Sequence, residues 1–545
     1  VEVSKKIVTK DELQEPKRKG LKQVAGIVKR TLGPGGLPIV IQRVGQTLEG
    51  TPLGPKITKD GVSVAEECSS PNEEEDIIIQ AVKGICRKTV NTAGDGTTTA
   101  IVLGEALVEA MDAELQANPD LNPQLVKESL ESASKEVIKK LRKLATPVKS
   151  TKVIKQVATI SANGDEEIGQ IIADAFDHVG VDGVVTVDEG SNNKVTLDKV
   201  DGYQFQRGAE GRNAFFNNKE NTQFEATDVS LIIYDGRLIS FNQLIPALRL
   251  LNGVENGPMG EQATKKAPPL VIIANEFSPE VLQFLLIQKD QGGMVVVPVL
   301  GPNTTSVRSG YYDDLAAYSG GTRLGNGARN LESIEEQDFG LVSRVIINKY
   351  KTTFYEGQGA EDDILARVNQ LRAAKEEAES PYDAQVLNDR IAALTNGIAK
   401  IGVGGATEFE IKEKYDRIED ALNAARAAIQ EGVVAGGGST LLRIARSLNS
   451  EKSVGHRILQ RALQAPFYQI LENIGLKEDK VAELASQMTR SDKIVYDARN
   501  KEIKRALAAG IIDPVKVTRT ALENAVSIAS LLSTAGGAII YKNPK

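Results

Sequence analysis

Ala93-Gly94-Asp95-Gly96-Thr97-Thr98-Thr99-Ala100 sets two glycines, one carboxylate and three hydroxyls at the mouth of a helix. Gly94 and Gly96 let the backbone come close to a ligand, and Thr97, Thr98 and Thr99 offer hydroxyls beside the free N–H groups of a starting helix. Ile101, Val102, Leu103, Ala106, Leu107 and Ala110 give that helix a broad apolar face. Such a corner suits phosphate. Asp95 would repel phosphate unless a cation lies between them, and Mg²⁺ resolves that conflict. A capped helix with a small-residue packing face accounts for the same stretch equally well, so the rest of the chain has to decide.

Outward from this corner, composition narrows the classes. A chain of 545 residues is too long for one ordinary core and predicts roughly two to four domains. Lys+Arg 66 against Asp+Glu 73 leaves a net charge of −7, with no basic tail, so nucleic acid is not expected as a partner. Cys68 and Cys86 stand outside any Cys-x-x-Cys pair, and His178 and His456 lack metal-ligand spacing, which disfavours zinc, disulfide frameworks and Cys/His nucleophile chemistry. No apolar run approaches a membrane span, and Val1 to Lys6 lack a signal peptide's apolar core. No membrane partner is expected, and the expected location is cytoplasmic or the interior of an organelle or host.

Residues 1 to about 145 read as helical with two glycine-rich corners, Thr31-Leu32-Gly33-Pro34-Gly35-Gly36 and the 94–99 stretch. From 146 to about 201 the texture changes to a connecting module. After Gly202 the pattern alternates, with strands expected at 229–234, 270–274, 294–299 and 342–348, and helices at 239–251 and 279–289. Two charged helices, 364–379 and 382–394, read as an antiparallel hairpin. A strand at 398–403 leads into a second helical region with another glycine corner, Ala435-Gly436-Gly437-Gly438-Ser439. The economical reading is that both ends build one helical domain and an α/β domain is inserted into it.

No Gly-x-x-x-x-Gly-Lys-Ser/Thr loop and no Gly-x-Gly-x-x-Gly strand-to-helix fingerprint is present, so a phosphate site has to be assembled from several corners. Asp60 and Asp420 are two further acids beside glycine or helix positions, able to share metal binding and water positioning with Asp95. Taken singly, each acid reads as a helix cap or a solvated side chain; only the set argues for chemistry.

Seven motifs then carry a resemblance that runs nearly end to end: Thr31-Leu32-Gly33-Pro34, Ile57-Thr58-Lys59-Asp60-Gly61-Val62-Ser63-Val64-Ala65, the 93–100 stretch, Thr159-Ile160-Ser161-Ala162-Asn163, Glu419-Asp420-Ala421-Leu422, Glu431-Gly432-Val433-Val434-Ala435-Gly436-Gly437-Gly438 and Asp513-Pro514-Val515-Lys516-Val517-Thr518-Arg519. In this order they resemble the group I chaperonins. The resemblance implies a multidomain α+β and α/β fold. Its helical equatorial ATPase domain comes from 1–144 and 431–545, a small intermediate hinge domain from 145–201 and 398–430, and an inserted α/β apical domain from 202–397. It further implies an ATP-dependent chaperone, in rings of seven, single or double, that binds non-native protein clients, with a co-chaperonin and a monovalent cation such as K⁺ as further expectations.

Carried over residue by residue, the resemblance puts Thr31, Leu32, Gly33 and Pro34 along the nucleotide and Lys59 at the phosphates. It puts Asp95 on Mg²⁺, Gly96, Thr97, Thr98 and Thr99 on phosphate oxygens, and Gly436, Gly437 and Asp513 at base and ribose. Asp420 and Asp60 would position the attacking water, with Asp420 swinging in on the hinge segment so that hydrolysis follows closure. The client groove would be lined by Phe215, Phe216, Ile245, Leu248, Leu282, Leu286 and Ile287, residues that on spacing alone read as ordinary helix core. Gly202 and Gly397 would be the apical hinge.

The departures are Gly35 in place of a basic residue, a longer 45–55 loop, a changed 208–213 segment, Asp497 where an asparagine would face the base, an unlike 501–505 run, and a chain end without the Gly-Gly-Met tail. They point to a divergent member, organellar or virus-encoded. A non-cycling holdase or scaffold with weak ATPase, and a small-molecule kinase, are the competing readings.

Overall fold

Helix Glu73–Ala93 ends, and helix Thr97–Ala117 begins, on left-handed glycines: Gly94 has φ 72° and Gly96 φ 91°. Both positions are also closed to a side chain. A Cβ on Gly94 would fall 2.4 Å from the Asn423 Cβ, and one on Gly96 2.6 Å from a Val517 methyl. The turn that the sequence marks with glycine is therefore demanded twice, by dihedral and by space.

The computed structural model describes residues 5–42, 55–180, 183–190, 194–218, 222–252, 267–291, 295–302, 308–378, 380–395 and 397–541. Most of the long 45–55 loop, and the chain end after residue 541, lie outside the described residues. The chain divides into two units, Val1–Asp174 with Val403–Lys545, and Ala175–Gly402.

In the first unit the helices Lys10–Val28, Glu73–Ala93, Thr97–Ala117, Pro123–Lys143 and Val515–Thr534 pack around one core. Val24, Ile79, Leu103, Leu107, Met111, Leu130 and Leu522 are fully buried there, at the i, i+3, i+4 spacings that make each helix amphipathic. Asn122 caps Pro123–Lys143 through the Gln124 N–H, with Pro at the first helical position where no N–H is needed. Four short antiparallel pairs pin the loops: Lys5–Thr9 with Gly537–Tyr541, Ile39–Ile41 with Lys56–Thr58, Val433–Ala435 with Ile512–Pro514, and Ile494–Asp497 with Glu502–Arg505. The last hairpin carries no apolar alternation strong enough to be read from sequence. The 454–489 region divides into Val454–Ala462, Ala465–Asn473 and Glu478–Met488, broken at Pro466 and at Gly475, which has φ 76°. Among the described residues, no helix is long and apolar enough to cross a membrane.

In the second unit a mixed sheet runs in the order Gly202–Phe205, Thr352–Gly357, Gly340–Asn348, Gln223–Leu238, Leu270–Phe277, Val296–Leu300, with Arg323–Leu324 added beside Gln223–Leu238. The last three strands of that order are parallel, with Ile272 opposite Ile232 and Pro298. Leu231, Ile232, Ile233, Val271, Ile272, Ile273, Val297 and Val299 are buried as continuous runs, the pattern of a parallel sheet covered on both faces. The strand expected at 229–234 is longer than its apolar stretch, because the polar 223–228 segment pairs with Gly340–Asn348. A second sheet orders Val184–Glu189, Ile398–Val403 and Thr196–Val200. Gly397 sits at φ 65°. Gly202 does not take a positive φ, and a Cβ there would lie 2.1 Å from the Ile398 Cδ1.

Candidate functional site

The first wall is built where helix Lys10–Val28 tightens into a single 3₁₀ turn, Lys29–Thr31, and Leu32 turns extended. Gly33 at φ 77° then allows the Gly36 N–H to reach the Gly33 carbonyl, while the Leu37 N–H returns to Arg30 O at 2.9 Å. Asn473 clamps this corner from the far end of the chain, its side-chain amide donating to Lys29 O and Leu32 O, each at 2.9 Å. Thr31 is buried with its hydroxyl donated inward to Val28 O, Leu32 is half-buried and Pro34 is exposed. Gly35 has a steric reason: a Cβ would lie 2.4 Å from an Ile474 methyl and 2.8 Å from Asn473 O. A basic side chain has no room there.

Asp60 caps helix Gly61–Glu66, accepting from the Val62 N–H at 3.1 Å and the Ser63 N–H at 2.8 Å. A Cβ on Gly61 would sit 2.4 Å from Thr98 Oγ1, so this cap lies directly against the threonine corner. Among the described residues, the Lys59 ammonium and the Thr97, Thr98 and Thr99 hydroxyls have no protein hydrogen-bond partner. Three of these donors stand at the N-terminus of helix Thr97–Ala117, a setting that suits an anion.

Four carboxylates converge on this wall. Asp95 accepts from its neighbour's Gly96 N–H and, at 2.9 Å, from the Ser161 hydroxyl. Burial nevertheless pushes its carboxyl upward, reinforced by the charge of Asp60. Asp420, on helix Glu408–Glu431, is pushed well above the carboxylate range by burial and then by Asp95, Asp60, Glu419 and Asp416. Asp513 rises to about 6, through burial and the charge of Asp95, although the Gly437 N–H opposes the shift. The packing of Asn423 on Gly94 seats the Asp420 helix against the corner. Gly436 lies against Asp513, where a Cβ would come within 2.8 Å of Oδ1, and Gly437 has φ 62°.

This donor set fits a divalent cation with phosphate. Mutually repelling, partly desolvated oxygens raise each other's proton affinity, and a cation among them removes that cost. Among the described residues, no three His, Cys, Asp or Glu side chains group to enclose a metal. Mg²⁺ suits such a place, because it takes one or two carboxylates and draws its other oxygens from substrate phosphates and water.

Asp497 is held by its own hairpin. Its carboxylate accepts from the Arg499 and Asn500 N–H groups, from Asn500 Nδ2 at 2.7 Å and from Lys504 Nζ at 3.0 Å. Those contacts hold its pKa down at about 2. Four local donors thus hold Asp497 in the hairpin's own turn, and its expected place at the base rests on the resemblance alone. Ser161, Asn423, Asn473 and Asp416 also lie against these corners, beyond the expected residues. Ser161 was within reach, inside the 159–163 motif, whereas Asn473 carries no local signal.

The expected client set divides. Phe215, Phe216 and Leu248 are 0%, 4% and 2% exposed and belong to the core of the second unit, so they offer no groove surface. Ile245, Leu282 and Leu286 are half-buried, and Ile287 is 44% exposed. On helix Pro279–Gln291, Val281 and Leu285 take the inward face four residues apart, which leaves Ile287 outward. Ile239, 66% exposed, and the stacked Phe241–Phe284 pair, with centroids 4.9 Å apart, extend the apolar surface beyond the expected residues.

A model of the TCP-1/cpn60 chaperonin family matches residues 24–534. Among solved structures, the chaperonin gp146 from the bacteriophage EL 2 (Pseudomonas aeruginosa), crystallised in the presence of ATP-BeFx, superposes with a TM-score of 0.72 at 21% identity over 99% of both chains. A second crystal form of the same protein gives 0.65 at the same identity and coverage. At that identity the likeness is one of fold.

Proposed function

The chain belongs to the TCP-1/cpn60 chaperonin family, and from that premise we propose that it is an ATPase that binds non-native polypeptides and assists their folding in a ring-shaped chamber. The observation that carries the reading is the meeting of Asp60, Asp95, Asp420 and Asp513 with the unpartnered Lys59 and Thr97–Thr99 donors. In it the phosphates lie on the N–H groups and hydroxyls of 97–99, with Lys59 beside them and the 31–34 backbone along the nucleotide. Gly436, Gly437 and Asp513 meet base and ribose. Asp95, oriented by Ser161, would hold the metal. Bound Mg²⁺ would supply neutralisation of phosphate charge. Asp420, whose environment favours the protonated form in the free chain, holds and orients the attacking water once that charge is balanced, together with Asp60.

The domain scheme follows the family: equatorial 1–144 and 431–545, intermediate 145–201 and 398–430, apical 202–397, hinged at Gly202 and Gly397. Clients would lie on Ile239, Phe241, Leu282, Phe284 and Ile287, since removing apolar surface from water needs no particular client sequence. Rings of seven, a co-chaperonin, K⁺ and a virus-encoded origin inside a host cell belong to the same proposal. The purified full chain is expected to hydrolyse ATP only with Mg²⁺, and Asp420→Ala to slow turnover about a hundredfold while ATP still binds. Unchanged turnover in that variant would remove Asp420 from the chemistry. The absence of any turnover in the wild type would favour the holdase.

A further inference from the structure

The 501–505 run, unlike the family, forms one strand of the Ile494–Asp497/Glu502–Arg505 hairpin, in which Ile494 pairs with Arg505. The base of this hairpin borders a cavity of about 410 Å³ within the first unit. Leu144, Val434, Ala506, Leu507 and Ile512 line its apolar wall. Its charged lining is Arg443, Lys493 and Arg505 against one acid, Asp492, an excess of two positive charges in a chain whose net charge is −7.

Arg443 is half-buried, and its partners are neutral carbonyls: Nε donates to Met488 O at 2.7 Å and Nη2 to Ile494 O. Among the described residues no carboxylate lies within ion-pair distance of it, and Nη1 has no partner. Burial lowers its affinity for its proton, with only the charge of Asp492 opposing. A guanidinium held in this way keeps its positive potential, and apolar walls focus it into the cavity.

We propose that this cavity binds a small organic anion with an apolar body, a carboxylate of about a dozen heavy atoms being the size class such a volume holds. The apolar body lies on Leu144, Val434 and Leu507. The carboxylate meets Lys493 and Arg505 at the mouth and Arg443 behind them. The cavity wall also belongs to the ladder beneath the candidate nucleotide site. Val434 is the register partner of Asp513, and Ala435, whose carbonyl accepts the Thr440 hydroxyl at 2.7 Å, leads into Gly436. An occupant therefore braces the strands that carry Gly436 and Asp513 and shifts nucleotide affinity; this coupling rests on the nucleotide reading above, whereas the binding itself does not.

The test is calorimetric titration of the full chain with 2-naphthoate and with its neutral counterpart 2-naphthamide. Naphthoate is expected to bind once per chain, about tenfold tighter than the amide, and the exposed-mouth variant Lys493→Glu/Arg505→Glu to lose about tenfold in naphthoate affinity. Saturating naphthoate is expected to change ATP affinity about threefold or more. Equal binding of acid and amide, no saturable heat, or an unchanged double variant overturns the site. Unchanged ATP affinity under saturating naphthoate overturns the coupling. Naphthoate binding with the stated charge dependence in a chain that does not bind ATP leaves the site standing and removes the nucleotide reading instead.

Discussion

Gly94→Ala tests whether helix Glu408–Glu431 is seated on the 94–99 glycine corner. The substitution does two separable things. It places a Cβ on a residue at φ 72°, a strain of about 1–2 kcal/mol borne whether or not the helix is docked. It also drives that Cβ to 2.4 Å from the Asn423 Cβ and 2.6 Å from its Cγ, an overlap present only in the docked state. Overpacking of this kind costs about 1–3 kcal/mol, which lowers the docked population about 5- to 150-fold. Single-turnover hydrolysis and hydrogen exchange across 412–430 read this directly: Gly94→Ala is expected to slow the first and speed the second. Asn423→Gly removes the atoms that clash, at the cost of about 1 kcal/mol in helix propensity, so Gly94→Ala/Asn423→Gly is expected to recover most of the lost rate. Equal loss in the single and double variants would mean that Asn423 does not rest on Gly94, and the account of how Asp420 reaches Asp95 would fall with it.

Asp497→Asn separates fold from site. With a folded pKa of about 2 against an ordinary 3.8, the carboxylate contributes stability that is complete above pH 4 and lost as pH falls through 2. The variant is therefore expected to be less stable at pH 7 by about 2 kcal/mol, with the gap closing toward acid in denaturant titrations, and to bind ATP like the wild type. Asp513 has the opposite sign: its folded value, about 6, lies above 3.8, so the stabilising proton is held fully below pH 4 and lost as pH rises through 6. Asp513→Asn is expected to raise the melting temperature of the nucleotide-free chain at pH 8 and to leave it unchanged at pH 4; a uniform effect at both would deny that burial strains this carboxylate. Gly35→Lys, which restores a basic residue, is expected to weaken ATP binding about tenfold, because its Cβ displaces Asn473 and Ile474 from the 29–36 corner; tighter binding would show that the added charge outweighs the clash.

The glycine corners were legible because their physics is local. A left-handed residue or a helix start is written into two or three neighbours, and Gly33, Gly94, Gly96, Gly437 and Gly438 all take positive φ. The apolar runs at 231–233 and 271–273 likewise announce strands covered on both faces. The motif order also carried the family, since seven short matches in sequence are specific where one is not.

What a side chain faces is not local. The resemblance puts Phe215 and Leu248 in the groove, whereas both are core, as their spacing alone reads, since the rotational setting of a short helix or turn depends on what packs beneath it. Asp497 and Asp513 stand 16 residues apart with the same side chain, yet one is saturated by its own hairpin and the other is left desolvated beside Asp95. Asn473 holds a corner 441 residues away without a local cue. Local sequence marks the glycine corners and the acids near some of them. Which acids meet is set by packing, because the repulsion and desolvation that define the candidate site act between segments far apart in the chain.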